Sequence, residues 1–311
     1  MIIERFTLDE NRTNVDLTTY VLSDSPELLD GKKRPAVLIC PGGAYLNCSD
    51  REGEAVALRF ASMGYHAFVL RYHVLLEADD DFESVFSGQI KGRTDTVFPA
   101  AIHDIAHAFM LIHDHAEEWL IDTDKIALCG FSAGGNNVTN YSVHWNKPIV
   151  TDHFDVNKIK PAAIIAGYPI TDYFAHEAHV KRQDQMAQGL FRMANLSLFG
   201  TETPSEEQLL QASAARLVDE ATPPTFIWAT AGDQLVPVSQ STRLGTALAE
   251  ARIPFELHIF EEGPHGLALA TQATAAAWTE VNRDASQWID LADTWLQKRF
   301  ALPLEEKSRW A

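Results

Sequence analysis

Short runs of β-branched and aliphatic residues alternate along this chain with longer stretches of helical periodicity, and no other feature constrains the fold as much. Strand, helix and strand in succession specify parallel strands joined by crossover helices, which cover the sheet on both faces. Strand signals fall at 1–8, 15–22, 36–40, 66–72, 125–129, 162–167, 225–231 and 255–260, with helical patterns at 52–62, 98–118, 134–145, 238–251 and 273–299. Several of the later strand runs are continuously apolar, as strands buried on both faces require. The expected fold class is therefore α/β, a mostly parallel eight-stranded sheet with helices on both faces, forming one domain over 1–311. Neither an internal repeat nor a low-complexity tract interrupts it.

Two connections are too long for simple loops. Residues 73–97 carry the acidic run Glu77, Asp79, Asp80 and Asp81, and residues 173–223 have helix-like patches that read as a lid-like insertion. Both leave the carboxyl ends of strands, where an open α/β sheet places its ligand crevice. Both are expected to roof that crevice.

The chain's 311 residues are 46% hydrophobic and 22% charged, enough apolar matter for a sizeable core and incompatible with global disorder. With 25 basic against 43 acidic residues, the net charge of −18 speaks against nucleic acid or an anionic membrane surface as partner. No apolar run approaches the roughly 18 residues of a membrane span, and no basic head precedes a long apolar stretch at the start, so a cytoplasmic protein is expected. Cys40, Cys48 and Cys129 are odd in number and irregularly spaced, which fits neither a disulfide framework nor a zinc site. The oligomeric state stays open, a homodimer included.

Gly130-Phe131-Ser132-Ala133-Gly134 lies between an apolar strand run and a helical stretch. G-x-S-x-G gains meaning in that setting, because its glycines permit a sharp strand-to-helix turn that lifts the serine hydroxyl above the sheet. A serine becomes nucleophilic only when a base takes its proton, and the base needs a carboxylate to hold its tautomer. Downstream, Asp233 follows the strand run 225–231 and His265 follows 255–260. The chain order Ser132, Asp233, His265, each after a separate strand, is that of the α/β-hydrolases. Pro41-Gly42-Gly43-Ala44-Tyr45 follows the strand run 36–40, so the N–H groups of Gly43 and Ala44, with that of Ala133, are the expected oxyanion hole.

These residues resemble the α/β-hydrolase esterases related to hormone-sensitive lipase and to the bacterial acetyl-xylan and feruloyl esterase-like proteins. The resemblance runs over nearly the whole chain. It is carried by Pro-Gly-Gly-Ala-Tyr at 41–45, by Ile-Asp-Thr-Asp-Lys-Ile at 121–126 leading into Gly-Phe-Ser-Ala-Gly-Gly at 130–135, by Gly232-Asp233 with Val236-Pro237, and by His265-Gly266. It implies a triad of Ser132, Asp233 and His265 and no cofactor or metal. Many lipase-like relatives have His-Gly-Gly-Gly where this chain has Pro-Gly-Gly-Ala, which moves it towards the carbohydrate-esterase branch.

Other candidates fare less well. His103 and His107 imitate a zinc-binding helix, but Asp104 stands where its general-base Glu would be and a third ligand is missing. His113, His115, His176 and His179 read as surface or lid residues, and His258 as a structural histidine within a strand. Cys40 and Cys129 read as small apolar packing residues at strand ends. The resulting expectation is a serine carboxylesterase acting on small short-chain esters. A formamidase or peptidase with the same triad is the first alternative, and a non-catalytic binding protein on a hydrolase scaffold the second.

Overall fold

The protein is described by a computed structural model over residues 1–77, 79–80, 90–302 and 304–306. Its described residues form an eight-stranded sheet of order β1-β2-β4-β3-β5-β6-β7-β8. The strands are β1 Arg5–Thr7, β2 Asp16–Tyr20, β3 Arg34–Cys40, β4 His66–Arg71, β5 Ile121–Phe131, β6 Ala163–Gly167, β7 Thr225–Thr230 and β8 Phe255–Phe260. The β1/β2 and β2/β4 pairs are antiparallel, and every later pair is parallel. From β3 the chain crosses first to β4 on one side and then back to β5 on the other. The carboxyl ends of β3 and β5 therefore lie side by side, Cys40 in register with Gly130, at the switch point where such sheets bind ligands.

Alternation along the central strands builds two cores. Leu38, Cys40 and Leu128 face Ile105 and Phe109 of α2 (Ala100–Asp114) and Tyr141 of α3 (Ser132–His144). Val37, Ile39 and Cys129 face Phe60 of α1 (Glu54–Ser62) and Trp288 and Trp295 of α9 (Trp288–Phe300). Helix α2 explains its own burial: Ile102, Ile105, Phe109 and Ile112 recur every three or four residues and are all buried. On the other face Trp228 stacks on Trp288 with centroids 5.0 Å apart.

Several boundaries differ from expectation for identifiable reasons. The run 1–8 yields only β1 and an isolated Ile2–Val21 bridge, because the Thr19 hydroxyl bonds both Glu4 N–H and Ile2 C=O between them. The helical pattern at 273–299 becomes α-helix only from Trp288, after two 3-10 turns at Trp278–Glu280 and Ala285–Gln287. Its alanine-rich start is drawn into a loop, where the Thr274 hydroxyl bonds Leu269 N–H and Leu267 C=O and Arg51 bonds the Thr274 carbonyl. Tertiary contacts here override helix propensity. β8, at the sheet edge, is only half-buried. Helices α5 (Tyr173–Val180), α6 (Gln185–Phe199) and α7 (Glu206–Gln211) fill the 173–223 connection, and α4 (Pro148–Thr151) and α8 (Ser239–Glu250) complete the set. In the 73–97 connection, residues 78 and 81–89, Asp81 among them, lie outside the described residues.

Candidate active site

Ser132 opens α3 directly after β5 with φ +52°, a left-handed conformation that costs a non-glycine residue energy and marks a strained turn. The residues two positions before and after it must be glycine. A Cβ on Gly134 would stand 2.1 Å from the Cys40 carbonyl oxygen, and one on Gly130 would stand 2.3 Å from the Gly134 carbonyl oxygen. The tight turn thus follows from close backbone approach to β3.

The hydroxyl it exposes lies 2.7 Å from His265 Nε2, and His265 Nδ1 lies 2.6 Å from Asp233 Oδ2. The other oxygen, Asp233 Oδ1, accepts the N–H groups of Leu235 and Val236, each at 2.9 Å, so both carboxylate oxygens are employed. With Nδ1 donating to Asp233, Nε2 is left to accept the serine proton. The Asp233 side chain is 1% exposed and that of His265 15%, so the histidine alone of this pair meets solvent. Asp172, the other carboxylate in the neighbourhood, caps α5 through Ala175 N–H and pairs with Arg216 and Arg243.

Beside the serine, the loop after β3 takes left-handed conformations at Gly43 (φ 131°), Ala44 (φ 55°) and Tyr45 (φ 63°). Gly42 and Gly43 carbonyls accept Ser49 N–H and Leu46 N–H, which curls the loop over the end of β3. Gly42 N–H is committed to the Glu52 carboxylate at 2.6 Å. Ala133 lies in the first turn of α3, where N–H groups have no intrahelical acceptor and carry the positive end of the helix dipole.

A small apolar cavity of about 40 Å³ adjoins Ser132. Ala44 and Tyr45 form one wall, Ile170, Leu235 and Val236 another, and Tyr173, His176, Leu190 and Phe191 of α5 and α6 close it. Residues of the second long connection therefore line the cavity beside Ser132. Among the described residues none of the first lines this cavity, although Ile90 packs in one cluster with Ala44 and Leu190; Leu75 N–H and Leu76 N–H bond the Tyr45 and Leu46 carbonyls from behind. Residues 73–77 thus support the loop's back, and residues 78 and 81–89 of that connection lie outside the described residues. Tyr45 is fixed by its hydroxyl bond to Asn136, whose amide donates to the Ile170 and Ala212 carbonyls. Larger hollows, such as one of about 570 Å³ between Ala55, Arg59 and Asp290, contain none of these groups, and size alone does not locate chemistry.

The remaining candidates take structural places. His103 Nε2 meets the Ile149 carbonyl at 2.7 Å and His107 packs on Phe154. His115 stacks on Trp119, His113 is half-buried, His179 bonds the Gln234 carbonyl, and His258 stacks on Phe226 and pairs with Glu256. His176 is buried, and burial, aided by the neighbouring His179 and His265 rings, pushes its pKa down to about 3. All three cysteines are free and buried, with burial pushing their thiols up. Among the described residues no helix is long and apolar enough to cross a membrane.

Sequence reasoning overlooked Glu52. Its Oε2 accepts Gly42 N–H, and its Oε1 accepts the Tyr168 hydroxyl at 2.7 Å, although the residue is buried. Desolvation raises its pKa, and the two donors, His265 and Arg51 oppose that rise.

Residues 26–248 match the BD-FAE family. The chain belongs to the BD-FAE family. Within its reach is an endo-1,4-β-xylanase B of Butyrivibrio fibrisolvens, 30% identical over 259 residues that make up 80% of this chain and 35% of that protein. Among solved structures, a carboxylesterase of Lactobacillus plantarum superposes with a TM-score of 0.76 at 27% identity, covering 98% of this chain and 100% of the other. An acetyl ester-xyloside bifunctional hydrolase of Caldicellulosiruptor lactoaceticus does so with a TM-score of 0.71 at 27% identity, over 95% and 96%. This BD-FAE chain therefore has the α/β-hydrolase fold. It spans between 35% and 49% of the length of the curated relatives it matches.

Proposed function

We propose that the protein is a serine carboxylesterase that hydrolyses small, short-chain esters through an acyl-enzyme. The observation that carries this reading is the continuous hydrogen-bonded line from Ser132 Oγ through the His265 ring to a buried Asp233. His265 Nε2 takes the hydroxyl proton as Oγ attacks the ester carbonyl, while Asp233 holds the ring and stabilises its positive charge. Negative charge develops on the carbonyl oxygen, and the N–H groups of Gly43, Ala44 and Ala133 are the donors assigned to it. His265 then passes its proton to the departing alkoxide, and the alcohol leaves. In the second half, His265 takes a proton from water, hydroxide attacks the acyl-serine, and the acid departs as the proton returns to Ser132.

Substrate size follows from the cavity beside the serine. Its volume of about 40 Å³ compares with the roughly 10–15 Å³ that one water needs, so an acetyl-sized group fills it. Relatives bearing the names carboxylesterase, acetylxylan esterase and acetyl ester-xyloside hydrolase support short acyl groups on small or sugar alcohols. The test is fluorophosphonate labelling located by peptide mapping, together with rates on nitrophenyl esters from acetate to octanoate. Labelling at Ser132 and kcat/KM falling beyond butyrate are expected; an unlabelled Ser132 or a rate rising to octanoate would sink the proposal.

A further inference from the structure

Glu52 sits in a short 3-10 turn, Asp50–Glu52, just before α1. A carboxylate is rarely buried without a specific set of partners, because losing water disfavours its charge. Both of its partners are donors. Gly42 N–H can only donate, and the Tyr168 hydroxyl already accepts Ala268 N–H at 2.9 Å, which leaves its own proton for Glu52. Ionised Glu52 accepts both bonds drawn, one on each carboxylate oxygen.

Each partner belongs to a different part of the site. Gly42 begins the turn that presents Gly43 and Ala44, and its Cα is so close to the nucleophile that a Cβ there would lie 2.7 Å from Glu52 Oε2 and 2.9 Å from Ser132 Cβ. Tyr168 follows β6, and its ring stands edge-on to the His265 ring with centroids 5.1 Å apart. Ala268, tied to the same hydroxyl, is on the loop that carries His265. Arg51 extends the clasp by donating to the Gly266 carbonyl at 3.0 Å and pairing with Glu280.

Resting on the serine-hydrolase reading above, we propose that Glu52 is a positioning residue that clamps the oxyanion loop to the histidine loop through Gly42 N–H and Tyr168, and that its negative charge favours the imidazolium formed as Ser132 attacks. The charged and titratable groups facing His265 are Asp233 from the segment after β7, Glu52 and Arg51 from the 3-10 turn, Tyr168 after β6, and His176 from α5. Arg51 is turned towards Glu280 and backbone carbonyls, so Glu52 and Asp233 are the anions on this face of the ring.

Steady-state kinetics on nitrophenyl acetate across pH test the assignment, with Glu52→Gln and Tyr168→Phe as variants. Glu52→Gln removes the charge and turns one acceptor into a donor. Its kcat should fall about 10- to 100-fold, since a displaced oxyanion donor is costly, with KM within about threefold of wild type. The acid limb of its kcat/KM profile should move to lower pH by about half a unit, because an anion that stabilises the protonated base has gone. Tyr168→Phe keeps the ring and the charge, and should lose about 3- to 10-fold in kcat with the limb in place. Unchanged kcat in either variant overturns the proposal, and so does an unmoved limb in Glu52→Gln. If Glu52→Gln fails to fold by circular dichroism, Tyr168→Phe decides alone. Wild-type protein that takes up no fluorophosphonate at Ser132 counts against the esterase reading, whereas labelled wild type with indifferent variants counts against Glu52.

Discussion

At the scale of single residues, the proposed mechanism makes Ser132, His265 and Asp233 one device, because the ring that takes the Ser132 proton through one short hydrogen bond is held by Asp233 through the other. Ser132→Ala and His265→Ala are each expected to abolish most turnover, and the double variant to be little worse than either. Multiplying losses in steady-state kinetics would show that the roles are wrongly assigned. Asp233→Asn should slow turnover by up to about 10⁴-fold with the fold intact, by presenting the ring in the wrong tautomer. Near-normal rates would require another orienting acid, yet Asp172 is occupied by Ala175 N–H and two arginines. These positions were readable in the sequence because each follows a strand and the fold gathers strand ends on one edge. Glu52 was not. A charged residue three positions after a serine, at the start of a helical pattern, looks exposed, and Gly42 and Tyr168, 10 and 116 residues away, bond it inside.

At the scale of elements, helical and strand periodicity located β3 to β8 within a few residues, since each repeats a local pattern that burial enforces. The loop at 271–281 shows where periodicity loses: Arg51, 223 residues distant from Thr274, holds an alanine-rich stretch out of helix. Helices α5 and α6 set the reach of the cavity, and no local signal announces which of their side chains face Ser132. Phe191 and Leu190 line it. Truncating Phe191 to alanine removes a ring from the cavity wall, so the variant should accept hexanoate and octanoate. Each extra methylene that the enlarged slot buries is worth up to about 0.8 kcal/mol, close to fourfold in kcat/KM. The measurement is the ratio of octanoate to acetate rates in wild type and Phe191→Ala. An unchanged ratio would place the acyl chain elsewhere.

Across the whole molecule, a half-buried histidine and a buried one give stability a pH dependence of opposite sign. His73 lies between Asp104 and Asp9, at 2.9 and 3.0 Å. Burial opposes its charge, but the two carboxylates prevail and raise its pKa. Its contribution is complete below the unfolded pKa and is lost as pH climbs through the folded one. His66 runs the other way. It opens β4, is 1% exposed, and its Nδ1 accepts Leu22 N–H at 3.0 Å, so the bond survives only while that nitrogen carries no proton. Burial, with the Arg34 charge beside it, pushes its pKa down to about 4. The unfolded chain binds the proton near the usual histidine value of about 6.5, so the unfolded state gains more protons as pH falls from there. Stability from His66 is therefore full above about pH 6.5 and declines towards pH 4, by about 3 kcal/mol over the whole window at most. His66→Asn places an amide oxygen near the position of Nδ1 and does not titrate. Urea unfolding of both proteins between about pH 4.5 and 7.5 should show wild type the more stable at neutral pH, with the gap closing on acidification. Curves that stay parallel across that range would mean that His66 takes up its proton equally in the folded and unfolded chains.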